Sequence, residues 1–404
     1  MQKISKTHFP AGLDGITNKN EVIMERKKIH FGIIGLGLMG REFGSAVARW
    51  CHLLDDSPMP VLAGICDKNP QVFPWYQDNF SGLELVTDDY KKLLAAKSID
   101  AIYCAVPHNL HEQLYPDIVR AGKHLLGEKP FGIDQKANTA ILKTITEHPK
   151  VIVRASSEFP YFPCAKRVIE WIREKKYGRL IEVKCGFHHS SDMDLTKSIN
   201  WKRMVEINGE YGCLGDLGLH TQHIPLRMGW MPFSVHADLQ KIAEQRPDGK
   251  GNLVPCRTWD NAVLTCKSKD SDGKEFSLVL ETKRMAPGAT NTWFIEVYGT
   301  DGSVKFSTHE PKAFYCLETK GKEQGWTRMD LGSQSFIPSI TGGIFEFGFS
   351  DAFQQMIGAF LQEFREGGSR HVFGNVTPAE TALSHKIMTA ALESHKTGKR
   401  ININ

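Results

Sequence analysis

Apolar positions along the first part of the chain fall into short unbroken runs separated by amphipathic stretches. Ile29-His30-Phe31-Gly32-Ile33-Ile34 reads as a buried strand, and residues 39–54 follow with helical spacing. Apolar runs recur at 61–66, 99–106, 124–127 and 151–153, with helical patterns over 110–121 and 135–147. Strands that alternate with helices of this length predict a parallel, doubly wound α/β sheet. After a helix over 164–176 the pattern changes. Strand-like segments at 180–187, 234–242, 260–267, 276–282, 293–298 and 304–306 are joined by polar turns such as Asp270-Ser271-Asp272-Gly273. They predict an α+β unit with one large open antiparallel sheet. Helices return over 350–364 and 378–395. The division expected is an arm over 1–28, a first domain over 29–153, and a second over 154–404 that takes the substrate and carries the assembly contacts.

Composition narrows the class. With 41% hydrophobic residues in 404, the chain can bury a sizeable core. The net charge is +4 with scattered basic residues, which does not predict a nucleic-acid surface. Nine cysteines show no Cys-x-x-Cys pair and read as reduced thiols, so a cytoplasmic setting is expected. No apolar run approaches the ~20 residues needed to cross a membrane, and residues 1–28 carry no apolar signal core, so neither membrane insertion nor export is expected. His188-His189, His220 and His223 lack a carboxylate or thiolate partner set, so no metal site is expected.

Candidate chemistry begins where the first strand ends. Gly35-Leu36-Gly37-Leu38-Met39-Gly40 is a Gly-x-Gly-x-x-Gly turn leading into a helix. Gly35 permits the tight turn, Gly37 lets the backbone approach a pyrophosphate, and Gly40 lets helix and strand pack closely. The second strand ends in Asp67, 27 residues after Gly40, with Asp55-Asp56-Ser57-Pro58-Met59-Pro60 as the loop that lengthens the usual spacing. A carboxylate there accepts from ribose hydroxyls and repels a 2′-phosphate, which favours NAD over NADP, although Lys68 softens the repulsion. These features make 29–153 a Rossmann NAD-binding domain. Trp75 and Tyr76 follow the second strand and either flank the adenine or pack.

Two further groups stand out. Gly127-Glu128-Lys129-Pro130 follows a parallel strand, whose carboxyl end faces the ligand crevice, so Lys129 is a candidate donor to a substrate oxygen. In Gly212-Cys213-Leu214-Gly215-Asp216-Leu217-Gly218-Leu219-His220, Asp216 and His220 are four apart and share a helix face. The pair is either a catalytic carboxylate–imidazole set or a plain helix-surface pair. Just upstream, Trp201 is suited to stack on a sugar ring and Lys202 and Arg203 to donate to hydroxyls; an ordinary loop anchor fits as well. The segment 341–349 is rich in glycine and aromatic residues and suits a lid or a subunit contact.

Taken in order, Gly35-x-Gly37-x-x-Gly40, Pro107-His108-Asn109-x-His111, Glu128-Lys129-Pro130 and Gly215-Asp216-x-Gly218-x-His220 resemble the glucose–fructose oxidoreductase and inositol dehydrogenase (Gfo/Idh/MocA) family. Gly299-Thr300-Asp301-Gly302-Ser303 and Ser394-His395-Lys396-Thr397-Gly398-Lys399-Arg400 also fit, so the resemblance covers roughly 29–401. It implies a cofactor site of Gly35, Leu36, Gly37, Leu38, Met39, Gly40, Asp67, Val106, Pro107, His108, His111, Glu128 and Lys129. It implies Lys129, Asp216 and His220 as the catalytic set, with Asp216 orienting His220. The activity implied is hydride transfer between NAD and a secondary hydroxyl of a sugar or polyol. The same resemblance admits an NAD-retaining glycoside hydrolase, or a non-catalytic NAD-sensing protein. One departure is Phe159-Pro160-Tyr161-Phe162-Pro163, where many relatives place an arginine before the aromatic. The open sheet, with apolar residues on both parities in Ala262-Val263-Leu264 and Leu278-Val279-Leu280, predicts a homo-oligomer, dimer or tetramer.

Overall fold

The computed structural model describes residues 26–54, 57–319, 321–332, 335–365 and 373–403. The expected arm before Arg26, and Asp55-Asp56 of the loop that lengthens the Asp67 spacing, lie outside the described residues.

Six strands build the first sheet: β1 (Lys28–Ile34), β2 (Met59–Cys66), β3 (Leu85–Thr87), β4 (Ala101–Cys104), β5 (His124–Gly127) and β6 (Val153–Ala155). Their order is β3-β2-β1-β4-β5-β6, and every pair is parallel. Helices α1 (Leu38–Ala48), α2 (Phe73–Asn79), α3 (Tyr90–Ala95), α4 (His111–Arg120) and α5 (Gln135–Glu147) connect them. β1 is central and buried from Phe31 to Ile34, with Phe31 and Ile33 wholly buried, which is why that stretch reads as an apolar run. The strand order reverses between β1 and β4, and that switch point opens a crevice at the carboxyl ends. The helix expected over 39–54 ends at Ala48 and gives way to a 3₁₀ turn, Trp50–His52.

The second half begins with α6 (Pro163–Arg173), β7 (Leu180–His188), α7 (Val205–Asn208) and α8 (Cys213–Arg227). β8 (Met231–Gln240), the small hairpin β9 (Gln245–Pro247) and β10 (Leu253–Pro255), β11 (Asn261–Lys269), β12 (Glu275–Lys283), β13 (Thr292–Gly299), β14 (Gly302–Ser307), β15 (Ala313–Glu318) and β16 (Thr327–Asp330) follow. The chain closes with α9 (Phe349–Gln362), α10 (Pro378–Thr397) and β17 (Ile401–Asn402). Nine strands form one sheet, β16-β15-β14-β13-β7-β12-β11-β8-β17. Its pairs are antiparallel except β7 with β12, which run parallel because the chain crosses one face through α8 before returning. The large open sheet expected from the sequence is thus present as a mixed sheet.

α8 lies against β7 and β12, α10 against β8, and α6 against β14, so one face is covered. The strict alternation of buried and half-exposed positions along β12 and β13 marks the other face as open. That face is less apolar than its sequence implies: Val263, Val279 and Phe294 share it with the ion pairs Lys184–Glu182 and Lys283–Glu281. α9 belongs to the second half in sequence but packs on α1, where Gln354 Nε2 donates to the carbonyls of Ala46 and Arg49 at 3.0 and 2.8 Å. One continuous core therefore spans both halves. Among the described residues, no helix is long and apolar enough to cross a membrane.

Candidate active site

The glycine turn forms the floor of a cleft of about 740 Å³. Gly35 has φ +92°, and a Cβ there would come within 2.3 Å of the Ala105 carbonyl. A Cβ on Gly40 would come within 2.3 Å of the Gly35 carbonyl, so this glycine lets α1 close on the turn. At Gly37 a side chain would meet nothing within 4 Å: the position faces open space. Gly37 caps α1 without any side-chain hydrogen bond, leaving first-turn N–H groups for an anion. Asp67 closes the loop, its Oδ2 accepting from Leu36 N at 2.7 Å and its Oδ1 from Asn69 N at 2.8 Å. Each oxygen keeps a lone pair for a ribose hydroxyl. A dinucleotide fits this cradle: Gly37 and the start of α1 would hold its pyrophosphate and Asp67 its ribose.

Of the other residues expected at the cofactor, Leu38, Met39, Val106, Pro107, His108, Glu128 and Lys129 line the cleft. Leu36 and His111 are wholly buried beneath it, and Gly40 is buried too; they shape the wall from behind. His111 Nε2 lies 3.1 Å from the Val106 carbonyl, and burial lowers its pKa to about 3, so it is a neutral strut. Trp75 and Tyr76 pack on each other and on Phe80, outside the cleft lining.

At its inner end the cleft meets a second cavity of about 580 Å³, and Leu38, Met39, Glu128, Lys129, Lys202 and Asp216 line both. Lys129 leaves the end of β5 and donates to the Asp216 carbonyl at 2.7 Å and to its Oδ1 at 3.2 Å. Asp216 Oδ2 accepts from Lys202 Nζ at 3.0 Å and from Arg284 Nη2 at 3.1 Å. Burial would raise the Asp216 pKa, but Lys129, Lys202 and Arg284 overturn this and hold it well below the usual carboxylate range. Burial lowers Lys129, and Asp216 with Glu128 more than offsets it, so Lys129 stays cationic. Lys202 goes the other way: burial lowers it, and Asp216 does not fully compensate for burial plus two neighbouring cations.

His220 lies one turn beyond Asp216 on α8, as the spacing implies, but the two do not hydrogen-bond. His220 Nδ1 faces Ser157 Oγ at 3.3 Å, and the ring is packed edge-on by Phe159 and Phe187 at 5.2 and 5.3 Å. The expectation that Asp216 orients His220 is corrected: three cations saturate the carboxylate, and Ser157 and the aromatics hold the imidazole. Burial, with Lys129 adding to it and Asp216 opposing, keeps His220 well below its ordinary pKa, hence neutral.

The upstream group divides. Lys202 sits in the junction between cleft and cavity. Trp201 turns to the cofactor side, its ring 5.0 Å from that of His108, and lines the cleft but not the inner cavity. Arg203 is wholly buried, bonded to Asp192 at 2.6 Å and paired with Asp260, so it cannot donate to a substrate. It is a loop anchor, the plainer of the two readings. In the segment 341–349, Phe347 packs on Phe162 at 5.5 Å and Ile344 and Phe345 are exposed, while Phe349 closes one side of the cavity.

Sequence reasoning missed Arg284, Ser157 and Glu158, and weighed His189, which lines the inner cavity, only as a metal ligand. Arg284 lies 68 residues from the carboxylate it binds, and no local spacing marks it. Ser157 and Glu158 occupy the short link between β6 and α6, where only the absent arginine drew attention.

A nucleotide cleft joined to a lysine–aspartate–histidine cavity is the arrangement of an NAD(P)-dependent oxidoreductase. The family described as "Oxidoreductase family, NAD-binding Rossmann fold" matches residues 29–155, and the GFO/IDH/MocA C-terminal domain matches 165–305. The chain belongs to this family. It is 23% identical over 291 residues to the levoglucosan dehydrogenase of Pseudarthrobacter phenanthrenivorans, covering 70% of this chain and 74% of that one. It is 22% identical over 371 residues to the inositol 2-dehydrogenase of Rhizobium meliloti, covering 91% and 98%. Among solved structures, a levoglucosan dehydrogenase in complex with NADH and L-sorbose superposes with a TM-score of 0.81 at 21% identity, covering 94% of this chain and 99% of that one.

Proposed function

We propose that this protein transfers hydride between NAD and a secondary hydroxyl of a sugar or polyol, in the cavity shared by Lys129, Asp216 and His220. The observation that carries the reading is the junction: Lys129 and Asp216, bonded to each other, line both the nucleotide cleft and the cavity that holds His220. Bound nicotinamide supplies a two-electron hydride acceptor or donor there. The chain's own residues handle the oxygen and its proton. Neutral His220 takes the proton of the reacting hydroxyl, its Nδ1 side held by Ser157. Cationic Lys129 has a third N–H beyond its two bonds to Asp216 and gives it to the same oxygen, stabilising alkoxide charge. Asp216 keeps Lys129, Lys202 and Arg284 gathered at the cavity wall. Lys202 is read as a substrate-hydroxyl donor. Asp67 is read as the group that prefers NAD to NADP.

The relatives named above bear on the substrate class, since one is a levoglucosan dehydrogenase and another an inositol 2-dehydrogenase. The nine free cysteines fit a reducing, cytoplasmic setting. The test is to incubate the purified protein with NAD and a panel containing levoglucosan, inositol and common pyranoses, and to follow NADH. Formation of NADH with one or more of these is expected. Failure of every neutral polyol, with NAD binding intact, would refute the reading.

A further inference from the structure

The link between β6 and α6 places a carboxyl group where the catalytic chemistry does not call for one. Ser156 N donates to the Gly127 carbonyl at 2.9 Å, tying the link to the strand that delivers Lys129. Ser157 holds His220 Nδ1, and Phe159 packs on the same ring. Glu158 lies between these two residues. It is 4% exposed, lines the inner cavity with Lys129 and His220, and bonds to no other side chain among the described residues. Two neighbours that fix the histidine therefore fix Glu158 as well, at a set position beside the reacting centre.

Its surroundings disfavour charge. Burial is the largest influence and raises its pKa, Glu128 from the end of β5 and Glu42 from α1 add to this, and its own backbone N–H and Lys129 only partly oppose, leaving it at about 8. Glu42 Oε1 is itself buried without a hydrogen-bond partner, and Glu128 Oε1 already accepts from Tyr103 at 2.7 Å, so neither relieves a negative charge on Glu158. At neutral pH the group is a carboxylic acid with an O–H to donate.

We propose that Glu158 is a specificity-determining residue whose neutral carboxyl donates a hydrogen bond to a second hydroxyl of the substrate, beyond the one oxidised at His220 and Lys129. This rests on the reading of the cavity as a sugar or polyol site and narrows it to substrates that carry such a hydroxyl within reach. A substrate that fills the cavity expels the water that solvates the ionised form, so it binds the neutral form better. By linkage, affinity holds while Glu158 is protonated and falls as pH rises through its pKa. His220 and His189 across the cavity are depressed, His189 to about 4, and Lys129 is raised, so none of them changes charge in that window. Asp192, Lys197, Asp216 and Arg284 also line the cavity, and Lys202, lowered from its usual value, is the group whose effect a variant must separate first.

The experiment measures KM and kcat for the polyol turned over best, from pH 6.5 to 9.5, in wild type, E158Q and E158A, with NADH binding followed by fluorescence to show that each variant is folded. In wild type, KM is expected to stay level to about pH 8 and then to climb, approaching tenfold per unit, with kcat changing less. E158Q keeps a donor that cannot ionise, so its KM should stay level throughout. E158A should raise KM about 3- to 10-fold at every pH below 8, and a deoxy analogue lacking the second hydroxyl should be insensitive to that substitution. A climb shared by E158Q, which would belong to Lys202, or no climb in wild type, overturns the assignment while leaving the dehydrogenase reading intact. No NADH from any polyol would overturn both.

Discussion

Lys129 Nζ sits 2.7 Å from the Asp216 carbonyl and 3.2 Å from its carboxylate, so the aspartate fixes the lysine by two bonds from one residue. Asp216 also raises the Lys129 pKa against burial. Asp216→Asn should therefore act chiefly through the lysine, to which it is bonded, and on His220 only through the loss of a nearby negative charge. Turnover should fall by about 10²-fold. The cationic donor is lost as pH rises through the Lys129 pKa, so the alkaline limb of kcat should move to lower pH. An unmoved limb in a folded, NAD-binding variant would show that Asp216 has another role.

If His220 is the base, as proposed above, it sets the acid side of the same profile. Its pKa is held below the ordinary value by burial, and the neutral form that accepts a proton is lost only as pH falls through that lowered value. The acid limb of kcat/KM is expected below pH 6.5, not at it. His220→Ala should lose about 10²- to 10⁴-fold in turnover while retaining NAD. A limb above 6.5, or a variant with near wild-type turnover, would remove His220 from the mechanism.

Most of the architecture is legible in the sequence, because it rests on local periodicity and glycine geometry. β1, the Gly35–Gly40 turn and Asp67 are placed by short-range pattern, whereas α8 is not, because Gly212, Gly215 and Gly218 mask its helical signal and only the spacing of Asp216 and His220 hints at it. The parts that are not legible depend on distant pairing. β3 and α3 are too short for their periodicity to register. The parallel β7–β12 pair follows from the path of the crossover, not from either strand. In the site, Lys129, Asp216 and His220 can be named from motifs, but their partners cannot: Arg284, Ser157 and Lys202 reach them across 14 to 68 residues of chain. Arg203 shows the opposite limit. Its neighbours in sequence suggest a sugar donor, yet Asp192 and Asp260 neutralise it inside the fold.

Asp67 gives a cofactor test with a structural complication. Its Oδ2 accepts from Leu36 N, so Asp67→Ala removes both the ribose acceptor and a support of the glycine turn. NAD should bind more tightly than NADP in wild type. The substitution should weaken NAD and narrow the difference, since a repulsive carboxylate near the 2′-phosphate is gone. Fluorescence titration of both cofactors reads this directly, and tighter NADP binding in wild type would sink the preference.

The open sheet face points to assembly. Val263, Val279 and Phe294 lie among ion pairs on a surface that no helix covers among the described residues. We propose a homo-oligomer, dimer or tetramer, packed through this face. A mass of two or four chains by light scattering at micromolar concentration is expected, and Val279→Lys should lower it. A monomer in wild type would refute the proposal.

Net redox and hydrolysis by transient oxidation use the same residues, and one measurement separates them. Neutral His220 can take a proton from a hydroxyl, or from a carbon beside a transient ketone, with cationic Lys129 donating to the adjacent oxygen in both cases, so the site itself favours neither. The difference lies in where the hydride ends. A dehydrogenase leaves reduced cofactor and oxidised sugar in solution in equal amounts. A hydrolase that recycles its cofactor leaves neither, and releases an aglycone instead. With aryl glycosides of several configurations beside their free sugars, NADH and aglycone are followed together. NADH equal to oxidised sugar, without aglycone, is the expected result. Repeated aglycone release with no added NAD would replace the dehydrogenase by the glycosidase, while leaving His220 in place as the group that moves the proton and Lys129 as the donor to the oxygen.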